Sequence, residues 1–195
     1  TNNKLILVTR ENEFSVHSKN NEEFFVSLKV HGTQPDDVGL DSTVSKKIGK
    51  GTHPSYEIKL TEDFSTNLQL VSMGNPHGVC WEAFDENLSL NQIFAMINAT
   101  KAFSNGVNIE FCKKESRKAL SMRVFERGVG ETEACGSGAC AAVVSGILNR
   151  FLSANELIEV KMRQGSLFVK WDGDLLSPVL LSGPATTVFD GEFYV

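Results

Sequence analysis

Residues 135–148 carry the densest chemical signal in the chain. Cys135-Gly136-Ser137-Gly138 leads directly into Ala139-Cys140-Ala141-Ala142-Val143-Val144-Ser145-Gly146-Ile147-Leu148. A cysteine just ahead of a helix has three useful properties. The first-turn N–H groups lack intrahelical partners, so they can hold a carboxylate. Glycines let a ligand approach the backbone closely. The positive end of the helix dipole favours a thiolate, which predicts a Cys135 pKa drawn down toward neutrality. A thiolate beside an anion cradle suits removal of the α-proton of an amino acid. The same residues also suit a tightly packed helix start, and free cysteine is commonly a buried apolar side chain. Spacing alone leaves both readings of Cys135 open.

The other three cysteines read differently. Cys140 lies inside the apolar helix, about one and a half turns from its start. Cys80 precedes Trp81 in an apolar context and reads as core. Cys112 shares a strand face with Asn108 and Glu110, and its role stays open. No pair forms a CxxC unit, and no histidine pair follows Cys135 and Cys140, so neither a disulfide scaffold nor a zinc site is expected.

Two further groups could reach a ligand. Asn75-Pro76-His77 is a turn by composition, and its amide and imidazole are either structural or site groups. In Leu120-Met122-Val124, period two puts Glu126 on the apolar side and Arg127 on the other. A carboxylate on a core face needs a partner or a purpose. The Lys113-Lys114 and Arg117-Lys118 cluster reads as a solvated turn.

These residues must be positioned by a mixed architecture. The first thirty residues read as a β-meander, with turns at Glu11-Asn12 and Lys19-Asn20-Asn21 and strict alternation at Phe24, Val26, Leu28 and Val30. From His31 to Pro54 the composition predicts a linker, anchored by Val38, Leu40, Val44 and Ile48. Tyr56–Leu60 and Leu68–Ser72 read as strands, and Met73 to Gly78 as a loop. A helix is expected from an N-cap at Ser89, with Ile93, Met96 and Ile97 on its apolar face. Val107, Ile109 and Phe111 alternate with polar neighbours and predict a half-buried strand. Strands return at Ile158, Leu167 and Val179, with turns at Gln164-Gly165 and Asp172-Gly173. The fold class expected is α+β, with strands wrapped around one buried central helix.

Composition bounds the function. The chain has 195 residues, enough to bury a real core. Its net charge of −5 argues against a general nucleic-acid partner. Hydrophobic residues at 41% and charged residues at 22% fit a globular chain, and no apolar run reaches the roughly 18 residues of a membrane span. With no secretory pattern at the start, a reducing cytoplasmic setting is expected.

Together the motifs resemble the diaminopimelate epimerase family. The blocks are Met73-Gly74-Asn75-Pro76-His77, Gly106-Val107-Asn108-Ile109-Glu110-Phe111, Arg123 to Thr132, Ala134 to Ala141, Ser182-Gly183-Pro184-Ala185 and Phe189-Asp190-Gly191. The resemblance implies a cofactor-independent isomerase that interconverts LL- and meso-diaminopimelate on the route to lysine. In that family two cysteines face each other across the substrate, one removing and one returning a proton. It implies that Cys135 is one of the pair, and that Gly136 and Ser137 bind the α-carboxylate. Asn75, Asn108, Glu126 and Arg127 fall at substrate-binding positions, and His77 and Glu126 where the thiols are tuned. No metal is implied. A related proline-racemase-like or phenazine-pathway-like isomerase, or a non-catalytic lobe binding a carboxylate or a partner, are the alternatives.

One departure is large. The family carries a second Cys-Gly-x-Gly motif in an N-terminal half, and Cys80, Cys112 and Cys140 are followed by Trp81, Lys113 and Ala141. The expectation is therefore a C-terminal portion, inactive alone, whose partner is the missing N-terminal lobe. Residues 1–36 read as remnant strands of that lobe, 37–185 as the C-terminal lobe, and 186–195 as a tail returning toward the first. A homodimer is left open.

Overall fold

The computed structural model describes residues 3–8, 13–18, 23–49, 52–82 and 89–192. The N-terminal meander is present as β1 (Asn3–Val8), β2 (Glu13–Ser18) and β3 (Glu23–Leu28), paired antiparallel. The two turns expected at Glu11-Asn12 and Lys19-Asn20-Asn21 lie outside the described residues.

The stretch read as a linker is instead structured. It holds α1 (Pro35–Val38) and β4 (Ser45–Ile48). Val38 and Leu40 anchor it, each 4% exposed, whereas Val44 is 50% exposed and anchors nothing. Turn-forming composition misled here because α1 is a single turn, started by Pro35 and closed by Gly39 in a left-handed conformation. Next come β5 (Ser55–Lys59), β6 (Ser65–Ser72) and β7 (Pro76–Cys80). The loop expected over 73–78 shrinks to residues 73–75, because Pro76 starts a strand rather than extending the turn.

Helix α2 (Leu90–Ala99) follows Ser89, burying Ile93, Phe94 and Ile97. Then come β8 (Asn108–Lys114), β9 (Ala119–Glu126) and β10 (Gly130–Thr132). The chain next forms α3 (Gly136–Leu148), and β11 (Leu157–Met162), β12 (Gly165–Lys170) and β13 (Val179–Pro184) complete it. Among the described residues the strands form one sheet, in the order β1-β2-β3-β13-β12-β11-β9-β8-β7-β6-β5-β4, with β10 added on β9. The β11–β9 and β7–β8 pairs are parallel and the rest antiparallel.

The sheet curls around α3. Every residue from Gly138 to Ile147 is buried, against Val71, Val79, Met122, Val124, Val160, Val169 and Val179 from six different strands. Alanine, glycine and serine on the helix permit this close approach. At Gly146, a Cβ would stand 2.6 Å from a methyl of Leu152. The opposite face of β5–β9 packs on α2 through Ile58, Leu68, Ile109, Phe111 and Phe125. Strand β8 is thus buried on both faces, not one. Ile109 and Phe111 face the α2 cluster, while Cys112 faces α3. Cys80 and Cys140 are core, both 0% exposed. The lysine-arginine cluster forms the exposed β8–β9 turn, where Lys118 meets Glu156 at 2.9 Å and Arg117 bonds Ser153. Among the described residues no helix is long and apolar enough to cross a membrane.

Candidate active site at the start of the buried helix

Cys135 is the N-cap of α3. Its backbone is extended at φ −143° and ψ 113°, and its Sγ accepts from the Gly138 N–H at 3.4 Å. The Cys135 carbonyl takes the Ala139 N–H, opening the helix ladder. All four cysteines are free thiols, and Cys135 alone among them is half-buried rather than buried. The amides of Gly136 and Ser137 lead the helix and have no partner within it.

The glycines serve packing as well as access. A Cβ on Gly136 would lie 3.0 Å from a Leu181 methyl. A Cβ on Gly138 would lie 2.8 Å from Glu110 Oε1 and 3.3 Å from the Cys135 Cβ. Both of the readings weighed for this loop are therefore satisfied by the same residues.

A hydrogen-bonded chain runs to the sulfur from β8. Glu110 Oε1 and His77 Nδ1 are 2.7 Å apart, with both side chains fully buried. His77 Nε2 lies 3.0 Å from Asn75 Oδ1. The Asn75 amide donates to Ser137 Oγ at 3.3 Å, and Ser137 Oγ is 3.5 Å from Cys135 Sγ. Parallel pairing of β7 and β8 sets His77 beside Asn108, which brings this chain together from two loops, two strands and one helix.

The remaining expected residues flank it. Glu126 ends β9 and accepts from the Thr132 hydroxyl at 2.6 Å. Its charge is felt at both Glu110 and Cys135. Asn108 is buried, and its Oδ1 takes the Arg127 N–H at 2.8 Å, fixing the backbone just past Glu126. The Arg127 side chain is exposed and donates from Nη1 to the Asn105 carbonyl at 2.7 Å. It stands on the rim, its stem over Gly106.

The expected fall of the Cys135 pKa does not hold in this chain. Burial pushes the thiol up, the Ser137 hydroxyl and the Gly138 N–H pull it down, and Glu110 and Glu126 push it further up. The helix start is one influence among several, and two carboxylates oppose it.

Glu110 and Thr132 escaped the sequence reading. For Glu110 a signal existed, since period two from Cys112 puts it on a core face, the same argument that singled out Glu126. Thr132 had none, because its partner is set by β10 folding back on β9. Clefts of about 520 and 670 Å³ exist elsewhere on the molecule, and neither includes any residue of this cluster.

The diaminopimelate epimerase family model matches residues 69–188, most of the chain and all of the cluster. The chain belongs to the diaminopimelate epimerase family. The diaminopimelate epimerase of Teredinibacter turnerae is 42% identical over 139 residues, covering 71% of this chain and 49% of that protein. That of Neisseria meningitidis is 44% identical over 124 residues, covering 63% and 42%. The chain spans about half the length of these curated diaminopimelate epimerases. In fold it is similar to a probable proline racemase of Agrobacterium radiobacter, with a TM-score of 0.61 at 11% identity over 97% of this chain and 61% of that one. This likeness bears on the fold alone: mixed α+β, mostly sheet, of the kind found in racemases and epimerases.

Proposed function

We propose that this chain supplies one of the two thiols of a cofactor-independent epimerase that interconverts LL- and meso-diaminopimelate, within cytoplasmic lysine biosynthesis. The observation that carries this is Cys135. It is the one half-exposed thiol among four, set at a helix start with a hydroxyl and an amide aimed at its sulfur. The Gly136 and Ser137 amides hold the substrate α-carboxylate there. Asn75, Asn108, Glu126 and Arg127 orient the rest of the amino acid. Cys135 exchanges a proton with the α-carbon from one face, with His77 and Glu126 adjusting its basicity.

Inversion needs an acid on the opposite face. Cys80, Cys112 and Cys140 are sealed in the core and cannot serve. The second thiol is therefore assigned to the half of the relatives that this chain does not span. Residues 1–36 are assigned to that N-terminal lobe, 37–185 to the C-terminal lobe and 186–195 to a tail returning to the first. The partial exposure of Cys135, against three buried thiols, supports this division. So does the edge ribbon, where Leu5, Ile6, Leu7 and Val8 are 57%, 49%, 48% and 75% exposed and await a covering surface. A homodimer is compatible with the same surface.

The test incubates the LL isomer in D₂O with this chain, alone and joined to the N-terminal half of a relative. The joined protein is expected to form meso product carrying deuterium at the α-carbon, at the ~1–10³ s⁻¹ typical of enzymes. Cys135→Ala is expected to abolish it. The lone chain should give no efficient inversion, since each acid–base partner contributes about 10²–10⁴-fold. Rapid inversion by the lone chain, or none by the joined protein, overturns the reading.

A further inference from the structure

The fully buried pair of His77 and Glu110 lies beyond the residues the sequence assigns to substrate. Glu110 Oε2 is buried and has no hydrogen-bond partner among the described residues. A lone carboxylate oxygen in the core disfavours a net negative charge on the pair. The Asn75 amide donates to Ser137 Oγ, so its Oδ1 is the atom turned toward His77 Nε2, and an amide oxygen there can only accept. His77 therefore carries a proton on Nε2, and Glu110 Oε1, 2.7 Å from Nδ1, holds the ring in this orientation.

That proton sets the direction of everything downstream. His77 Nε2–H donates to Asn75 Oδ1, across 3.0 Å. This turns the Asn75 amide N–H toward Ser137 Oγ, at 3.3 Å. Ser137 then has its own hydroxyl proton free for the Cys135 sulfur, 3.5 Å away. Every donor in the chain points toward Cys135, and the Gly138 N–H joins them. Were Nε2 bare, the Asn75 amide would turn over and donate to the imidazole. Its oxygen would take the Ser137 proton, and the sulfur would face a lone pair instead of a donor. The first wiring favours thiolate, the second thiol.

We propose that Glu110 is a positioning residue for Cys135, acting through His77, Asn75 and Ser137 to keep the hydroxyl of Ser137 donating to the sulfur. The proposal rests on Cys135 being the base of the epimerase reading. Its predicted sign is opposite to that of direct charge. The Glu110 carboxylate acting through space pushes the thiol up, so removing it should ease ionisation. The wiring predicts that removing it hinders ionisation. The titratable groups facing Cys135 are Glu110 from β8, Glu126 from β9, His77 from β7 through the chain, and Cys140 below it on α3.

The experiment measures the pH profile of iodoacetamide alkylation at Cys135 in the intact chain, by peptide mass spectrometry. Glu110→Leu, of similar volume but without hydrogen-bonding atoms, releases His77 Nδ1 and with it the hold on the ring that keeps Nε2 on Asn75, and is expected to slow alkylation near neutral pH about tenfold and move the profile to higher pH. Glu110→Gln is expected to stay within about threefold of the parent, because its amide can still hold His77 Nδ1 and leave the proton on Nε2. Ser137→Ala should reproduce the Leu variant. Faster or unchanged alkylation in a folded Glu110→Leu or Ser137→Ala variant overturns the proposal. Should Glu110→Leu not fold, ¹⁵N-histidine spectra of the parent chain decide: a protonated Nε2 on His77 supports it and a bare Nε2 refutes it. Neither readout needs turnover, so a failed epimerase assay and a failed wiring are told apart.

Discussion

His77 and Glu110 meet across two parallel strands at 2.7 Å, with neither side chain exposed to solvent. Buried ionisable pairs seldom add stability, since desolvation offsets most of the attraction. A sheet that needed only packing at this point would favour apolar residues. Burial pushes the Glu110 carboxyl above its usual range, and His77 offsets part of that. The pair sits one shell behind Cys135, on the side of the sheet facing the start of α3. On the proposed reading, its geometry serves a thiol that changes protonation state in each turnover.

Thiol chemistry in the native chain should be selective. Cys80, Cys112 and Cys140 are at most 5% exposed, and burial pushes all three thiols up, Cys80 to about 11. Native protein is expected to take up one equivalent of a thiol reagent, at Cys135, and four in denaturant. Intact mass before and after unfolding checks this, and a second fast equivalent would mean that the sheet opens readily around α3.

Ser145 should matter to stability although it lies far along α3 from the thiol. Its hydroxyl accepts from Trp81 Nε1 at 2.8 Å and donates to Gln69 Oε1, and it is 1% exposed. Ser145→Ala leaves the Trp81 N–H and the Gln69 oxygen unpaired. The expected loss is about 1–3 kcal/mol, read from urea midpoints. Alkylation of Cys135 should be unchanged at temperatures where the variant is folded.

Much of this was legible because period and composition act locally. The apolar, small-residue helix announces its own burial, and the alternation in β9 puts Glu126 on the inward side. The His31–Pro54 stretch was not legible, since a one-turn helix and a short edge strand carry too little periodicity. Nor was the double burial of β8, which depends on α2 covering its outer face through Ile93, Phe94 and Ile97. The Cys135 thiol departs from the sequence expectation for a related reason. The helix start is adjacent in sequence, whereas Glu110 and Glu126 reach the sulfur through tertiary folding.

The Arg123–Glu131 pair should give the acid limb of stability part of its shape. Arg123 donates from Nε and Nη2 to the two oxygens of Glu131, at 2.7 and 2.8 Å. This staples β10 to β9 and so carries Thr132 to Glu126. The Arg123 hydrogen bond, above all, holds the Glu131 carboxyl below its ordinary 4.5. A carboxyl lowered on folding contributes stability above its unfolded pKa, and that contribution is lost as pH falls through the folded value. Glu131→Gln should therefore cost stability at pH 7 and cost progressively less below about pH 4. Arg123 is 44% exposed, so solvent limits the effect to about 1 kcal/mol or less. Urea unfolding at pH 7 and pH 3 tests the sign, and a difference that grows in acid would contradict it.

Gly138→Ala is the sharpest probe of how firmly the carboxyl stands against the helix start. By propensity alone alanine should help, by roughly 1 kcal/mol in a helix interior and less near its end. Against that, the new methyl meets Glu110 Oε1 at 2.8 Å, Cys135 Cβ at 3.3 Å and Cys135 Sγ at 3.4 Å. A free glutamate would swing aside at little cost. Glu110 is fully buried and tied to His77, so it has nowhere to go. The overpacking cost, typically about 1–3 kcal/mol, is expected to win, and the variant should melt lower than the parent. A double-mutant cycle isolates the cause. In a Glu110→Ala background the oxygen is gone, so the Gly138→Ala penalty should shrink by at least ~1 kcal/mol or reverse. An undiminished penalty would shift the constraint to the Cys135 side chain, and a higher melting temperature for the single variant would show that the carboxyl is mobile.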